Sequence, residues 1–153
     1  TGVELRKGIV TDQYLRTNVS DIYAAGDVAE FFDVHIEKHN TMGTWDNALS
    51  HGRTAGVNMA GGEEVYHEVP TYTSPLFSSN IAVMGVTSEN RPDLEFVTRA
   101  VPEEREYKKL FFLEDRLVGA VTIGRPRGRK RLLQMMHTGE RLEGPKESLL
   151  DAG

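Results

Sequence analysis

Residues Asp21-Ile-Tyr-Ala-Ala25 form a continuous apolar run after the first residue, and the run stops at Gly26-Asp27. A strand buried on both faces reads this way, without the alternation of a half-exposed one. It delivers a glycine and a carboxylate to its C-terminal end, where ligands sit in open α/β sheets. Gly26 permits close backbone approach, with no Cβ to obstruct a ligand. Asp27 can accept hydrogen bonds from hydroxyls, as a sugar-like chain would offer. A strand ended by Gly-Asp is a weak signal alone, because many buried strands close in such a turn.

The flanking sequence adds specificity. Gly8-Ile-Val-Thr-Asp12 is a β-branched run that predicts a strand. Residues 31–44 show no regular period and read as loop. From Trp45 to Ala60 the pattern turns helical, with Trp45, Ala48, Leu49, Gly52, Ala55, Gly56, Met59 and Ala60 at three- and four-residue spacing. That face is mostly small, and glycine costs about 1 kcal/mol in a helix interior. Its two interior glycines therefore predict a backbone pressed closely against something flat, and Gly61-Gly62 ends the helix.

Residues 63–79 carry Pro70 and Pro75 among Thr, Ser and Tyr and read as a linker. Beyond it come strands at Ile81–Val86, Leu94–Thr98, Tyr107–Leu113 and Leu117–Ile123, the last two joined by a turn at Glu114-Asp115-Arg116. A helix is expected from Arg127 to His137, with Leu132, Leu133 and Met136 facing inward. Residues 141–153, rich in Glu, Gly and Lys, read as a flexible tail.

Taken as a whole, Thr17-Asn-Val-Ser-Asp-Ile-Tyr-Ala-Ala-Gly-Asp-Val-Ala29 resembles the second FAD-binding motif of the pyridine nucleotide–disulfide oxidoreductase superfamily. There a threonine precedes a strand ending in Ala-x-Gly-Asp. Thr17, Ile22, Tyr23, Ala24, Ala25, Gly26 and Asp27 match in order and spacing, and Leu15-Arg-Thr17 resembles the family's lead-in. Pro75-Leu-Phe-Ser-Ser-Asn-Ile-Ala-Val-Met-Gly85, followed by a hairpin and a helix, resembles the small C-terminal domain of the rubredoxin-, ferredoxin- and nitrite-reductase branch. The resemblance implies that Asp27 binds a ribityl hydroxyl of FAD, with Gly26 and Val28 contributing backbone. It also implies that the helix beginning at Thr44-Trp45-Asp46 aims its positive end at the pyrimidine side of the flavin. Trp45 either contacts the ring or is wedged into the core, and the sequence leaves both open.

The implied fold class is α+β. Residues 1–62 form the C-terminal segment of an FAD-binding domain. Residues 80–140 form an interface domain of antiparallel strands with a C-terminal helix. No Gly-x-Gly-x-x-Gly occurs, whereas a complete enzyme of this kind needs one for FAD and one for NAD(P)H. The FAD site is thus partial and the NAD(P)H site lies outside the chain. His137 is followed by Thr138-Gly139 rather than proline, which disfavours the disulfide-reductase branch. The parent protein is expected to pass electrons from a nicotinamide through FAD to a carrier protein or small acceptor. The chain alone is expected to be catalytically silent, with no catalytic residue of its own. A stand-alone interaction or dimerisation module with a vestigial flavin motif is the competing reading. Upstream glycine fingerprints in the gene would decide between them.

The remaining chemistry is sparse. His35 and His39, with Asp33 and Glu37 nearby, could share a metal only on a helix, and a solvated loop explains them better, so no metal site is assigned. His51 and His67 stand isolated and receive no special reading. The basic run from Arg125 to Arg131 reads first as a solvated face. Docking of an acidic electron carrier comes second and nucleic acid a distant third, given a net charge of −5 over 153 residues. There is no cysteine, hence no disulfide or thiolate site. No apolar run approaches the roughly 20 residues that span a bilayer, and no signal peptide is visible at Thr1, so a cytoplasmic location is the default. The strand edges that Asp21–Ala25 would leave unpaired predict a homodimer or a rearranged first unit.

Overall fold

The computed structural model describes residues 2–89, 91–124 and 128–151. The chain divides into two units, Thr1–Pro70 and Thr71–Gly153.

In the first unit, strand β1 (Ile9–Val10) pairs parallel with β2 (Ala29–Asp33), which pairs antiparallel with β3 (Lys38–Asn40). Gly8 lies so close to β2 that an added Cβ would meet the Val28 carbonyl oxygen at 2.7 Å. The carboxylate of Glu30, itself on β2, accepts the backbone N–H groups of Lys7 (2.8 Å) and Gly8 (3.2 Å) and so fixes β1 from the side. Residues 31–44, expected as loop, thus contain a hairpin. The physical reason is Asp33. One of its oxygens takes the His35 N–H at 3.0 Å and the other the Asn40 side-chain amide at 3.3 Å, closing the turn with side-chain chemistry.

The strand expected at Asp21–Ala25 does not form a ladder. The backbone of the segment bonds to its own lead-in, Thr17 N–H to the Ile22 carbonyl at 2.9 Å and Ala24 N–H to the Leu15 carbonyl at 3.2 Å. A ladder needs a flanking strand, and among the described residues none lies beside it apart from the Arg16–Tyr23 bridge.

Helix α1 (Trp45–Met59) forms where its period predicts, capped by Thr44, whose Oγ1 accepts the Asn47 N–H at 3.3 Å. Its burial departs from the expectation, with Ala55 the one residue of the expected face in the core. The buried residues are Asn47, His51, Thr54, Ala55 and Asn58, whereas Trp45, Leu49 and Met59 are 77%, 61% and 65% exposed. Nothing stands within 4 Å of a Cβ added at Gly52 or Gly56. A polar helix face can be buried when each group finds a partner. Here Asn58 bonds Tyr14 and both backbone groups of Glu64, and Asn47 accepts from the Tyr66 hydroxyl at 2.8 Å. Leu15, Phe31, Ala55 and Tyr66 complete this core.

The second unit is a five-stranded antiparallel sheet of β4 (Thr71–Leu76), β5 (Ser79–Gly85), β6 (Glu95–Val101), β7 (Glu106–Leu113) and β8 (Arg116–Ile123), in the order β4-β5-β8-β7-β6. Met84, Ala120 and Leu110 stand in register across its centre, each fully buried. Helix α2 (Arg129–Thr138) packs on β8 and buries Leu132, Met135 and Met136, with Leu133 only half-buried. The start of that expected helix at Arg127 lies outside the described residues, as do Arg125 and Pro126.

Two boundaries move. Part of the expected linker is β4, in which Pro75 is tolerated because β4 is an edge strand. The expected tail contains a short helix, α3 (Ser148–Asp151), whose Leu149 is 1% exposed. It is held by the Leu142 N–H on the Asp115 carbonyl (2.8 Å), the Lys108 ammonium on the Leu150 carbonyl (2.9 Å) and an Arg99–Asp151 ion pair. One buried leucine and these polar ties outweigh the glycine- and charge-rich composition.

Candidate functional site

The chain arrives at Gly26 in extended conformation at Ala25 and turns there, Gly26 adopting a φ of +77° that favours glycine. Gly26–Val28 form a single 3-10 turn, closed by the Ala29 N–H on the Gly26 carbonyl. The turn packs against α1, where a Cβ on Gly26 would stand 3.4 Å from the Ala48 Cβ. Gly26 is buried, while Asp27 and Val28 face solvent. Gly43 leaves the Asp27 carboxylate open on its other side, because an added Cβ there would lie 3.5 Å from Oδ2.

Four of the five expected site residues are thus gathered by packing rather than by sequence proximity alone. Gly26, Asp27 and Val28 form the turn, and Asp46 lies in the first turn of the helix that packs against it. The fifth, Trp45, is exposed rather than wedged into the core. Helix geometry leaves the first amides of α1 without intrahelical carbonyls, and Thr44 takes only that of Asn47. The junction therefore offers an exposed carboxylate acceptor beside the positive end of a 15-residue helix.

His51 is the residue that sequence reasoning missed. It is 0% exposed, and its Nδ1 accepts the Gly26 N–H at 3.2 Å. The proton of the neutral ring is then on Nε2, which is buried and has no hydrogen-bond partner among the described residues. Phe31 and Tyr66 meet the ring edge to face at 4.6 and 4.3 Å. Burial pushes the His51 pKa down to about 4 and the Tyr66 hydroxyl up to about 12, so both rings are neutral at pH 7. The signal was present: Asn47, His51, Thr54 and Asn58 repeat at helical spacing as regularly as the small residues do.

His35 and His39 are engaged separately, His35 Nε2 with the His67 carbonyl at 2.7 Å and His39 edge-on to Phe32 at 5.5 Å. Of the basic run, Lys130 and Arg131 are exposed on α2.

Residues 1–52 match the family described as pyridine nucleotide-disulphide oxidoreductase. NADH-rubredoxin oxidoreductase of Clostridium acetobutylicum is 29% identical over 125 residues, 81% of this chain and 31% of that protein. Rhodocoxin reductase of Rhodococcus erythropolis is 28% identical over 127 residues, 83% of this chain and 29% of its own length. A solved ferredoxin reductase of Rhodopseudomonas palustris, 25% identical, superposes with a TM-score of 0.70 over 84% of this chain and 32% of that one. The chain is thus similar to members of the pyridine nucleotide-disulphide oxidoreductase family over part of their length, with the family match itself lying in residues 1–52. It spans less than a third of the length of the two curated relatives.

Proposed function

We propose that this chain supplies the ribityl-binding turn and the C-terminal domain of an FAD-dependent NAD(P)H oxidoreductase that delivers electrons to a small carrier protein. The observation that carries the proposal is the exposed Asp27 carboxylate on the Gly26 turn, open beside Gly43 at the start of α1. These residues fit the ribityl portion of FAD: an exposed carboxylate accepts from hydroxyls, and Gly43 places no side chain beside it. When bound, the flavin supplies the electron-accepting ring. The protein's part is to hold it. Asp27 accepts hydroxyl hydrogens, the Asp27 and Val28 backbone borders the polyol, and the α1 N-terminus favours negative charge on the ring. Trp45 and Asp46 lie at that end.

Residues for the adenine half of FAD and for NAD(P)H belong to other parts of such an enzyme. The open apolar face of α1, from Trp45 through Leu49 to Met59, is where the rest of a flavin domain would pack. The names of the relatives support rubredoxin- or ferredoxin-like carriers as the acceptor class. The exposed Lys130 and Arg131 would suit an acidic one. Without the remaining parts, the exposed α1 face favours a homodimer.

The test is an absorbance titration of the purified chain with FAD. Saturable binding is expected, with the Kd raised roughly tenfold or more in Asp27→Ala, the usual cost of losing a hydrogen bond to a charged group. A parent chain that takes up no flavin at millimolar concentration would remove the site and leave the family similarity alone.

A further inference from the structure

We infer that His51 is the positioning residue of the flavin-binding turn: its Nδ1 lone pair sets the direction of the Gly26 peptide and, through it, the aim of Asp27. The inference rests on the reading of that turn as the ribityl site.

Three observations carry it. The hydrogen bond from the Gly26 N–H to Nδ1 is buried and reaches across 25 positions of sequence, so it is a tertiary tie rather than part of any regular ladder. It falls at the one residue of the turn that leaves ordinary backbone space, Gly26 at φ +77°. With that N–H directed into the core, the peptide plane is fixed, and the next residue is thrown outward into solvent.

The second observation is what the histidine gives up. Its Nε2–H meets no acceptor among the described residues, and a buried donor left unsatisfied is costly. A residue kept only to fill space between Phe31 and Tyr66 would carry no such group. The ring is retained with one nitrogen satisfied and the other not, and the satisfied one faces the turn.

The third is immobilisation. Phe31 and Tyr66 meet the imidazole at near right angles, 80° and 89°. The Tyr66 hydroxyl is in turn bonded to Asn47 on the same helix. The ring is therefore held on two sides and cannot swing away without breaking the packing of α1. Because burial keeps it neutral, the Nδ1 lone pair remains available.

The experiment compares the parent chain with His51→Gln, whose side-chain oxygen can accept the same N–H, and His51→Leu, which cannot. Amide hydrogen exchange at Gly26, followed by NMR, is measured with no flavin present, and FAD affinity is then titrated on the same samples. The Gly26 amide is expected to be protected in the parent and in His51→Gln and to exchange at least about tenfold faster in His51→Leu. FAD affinity is expected to follow, with His51→Gln near the parent and His51→Leu weaker by about tenfold. Circular dichroism checks that all three fold. Unchanged Gly26 protection in His51→Leu, or equal loss in both variants, overturns the inference. If the parent takes up no flavin, the ribityl reading fails, and the exchange pattern still decides whether His51 holds the turn.

Discussion

Asn58 makes three hydrogen bonds with one side chain, donating to the Tyr14 and Glu64 carbonyls at 2.9 and 2.8 Å and accepting the Glu64 N–H at 2.7 Å. Asn58→Ala orphans all three backbone groups in a partly buried site, and the expected loss is about 2–3 kcal/mol, read from chemical denaturation of the first unit. His51 gives a second handle, through pH. Its pKa falls from 6.5 to about 4 on folding, so the unfolded chain takes up the proton first as pH drops. The associated stability is complete above pH 6.5 and is lost as pH falls toward 4. Between pH 7 and 4 the parent should therefore lose about 3 kcal/mol more than His51→Gln. Equal slopes for the two would show that His51 titrates normally in the fold. At this scale Gly26 and Asp27 were legible in the sequence, because a φ-permissive residue and an acceptor at a strand end have a recognisable order. The helical spacing of Asn47, His51, Thr54 and Asn58 marked a polar face, but the role of His51 was not legible, because it comes from a bond to Gly26, 25 positions away.

Helix α1 was predictable in extent but not in facing. Periodicity locates a stripe of small residues without saying whether anything covers it, and here Gly52 and Gly56 are uncovered while Ala55 lies in the core. A methyl group added at Gly52 or Gly56 would meet open space, so Gly52→Ala should stabilise the chain by about 0.5–1 kcal/mol, measured as a rise in Tm. A loss would mean that a partner backbone sits on that face in solution. The sheet of the second unit gives the opposite case. A Cβ on Gly119 would lie 1.8 Å from the Val86 carbonyl oxygen, and Gly119→Ala should cost about 3 kcal/mol or more, abolishing the cooperative unfolding of that unit. Strands β5 to β8 were readable from β-branched runs and a turn. The β2–β3 hairpin was not, because its turn is closed by Asp33 side-chain bonds rather than by Gly or Pro. The helix at 148–151 was hidden in a composition that suggests fraying.

The two units have separate cores, one around Leu15, Phe31, Ala55 and Tyr66 and the other around Met84, Leu110 and Ala120. No helix among the described residues is long and apolar enough to cross a membrane. The exposed Trp45, Leu49 and Met59 lead us to expect a dimer in light scattering, converted toward monomer by Leu49→Glu with little change in Tm. On the proposed function, the turn at Gly26-Asp27 should hold the flavin side of FAD and not its adenine side. Competition titrations with riboflavin and with adenosine diphosphate test it most directly. Riboflavin should displace FAD from the parent chain, adenosine diphosphate should not, and Asp27→Ala should lose the riboflavin response. Displacement by adenosine diphosphate alone, or riboflavin binding unchanged in Asp27→Ala, would contradict it.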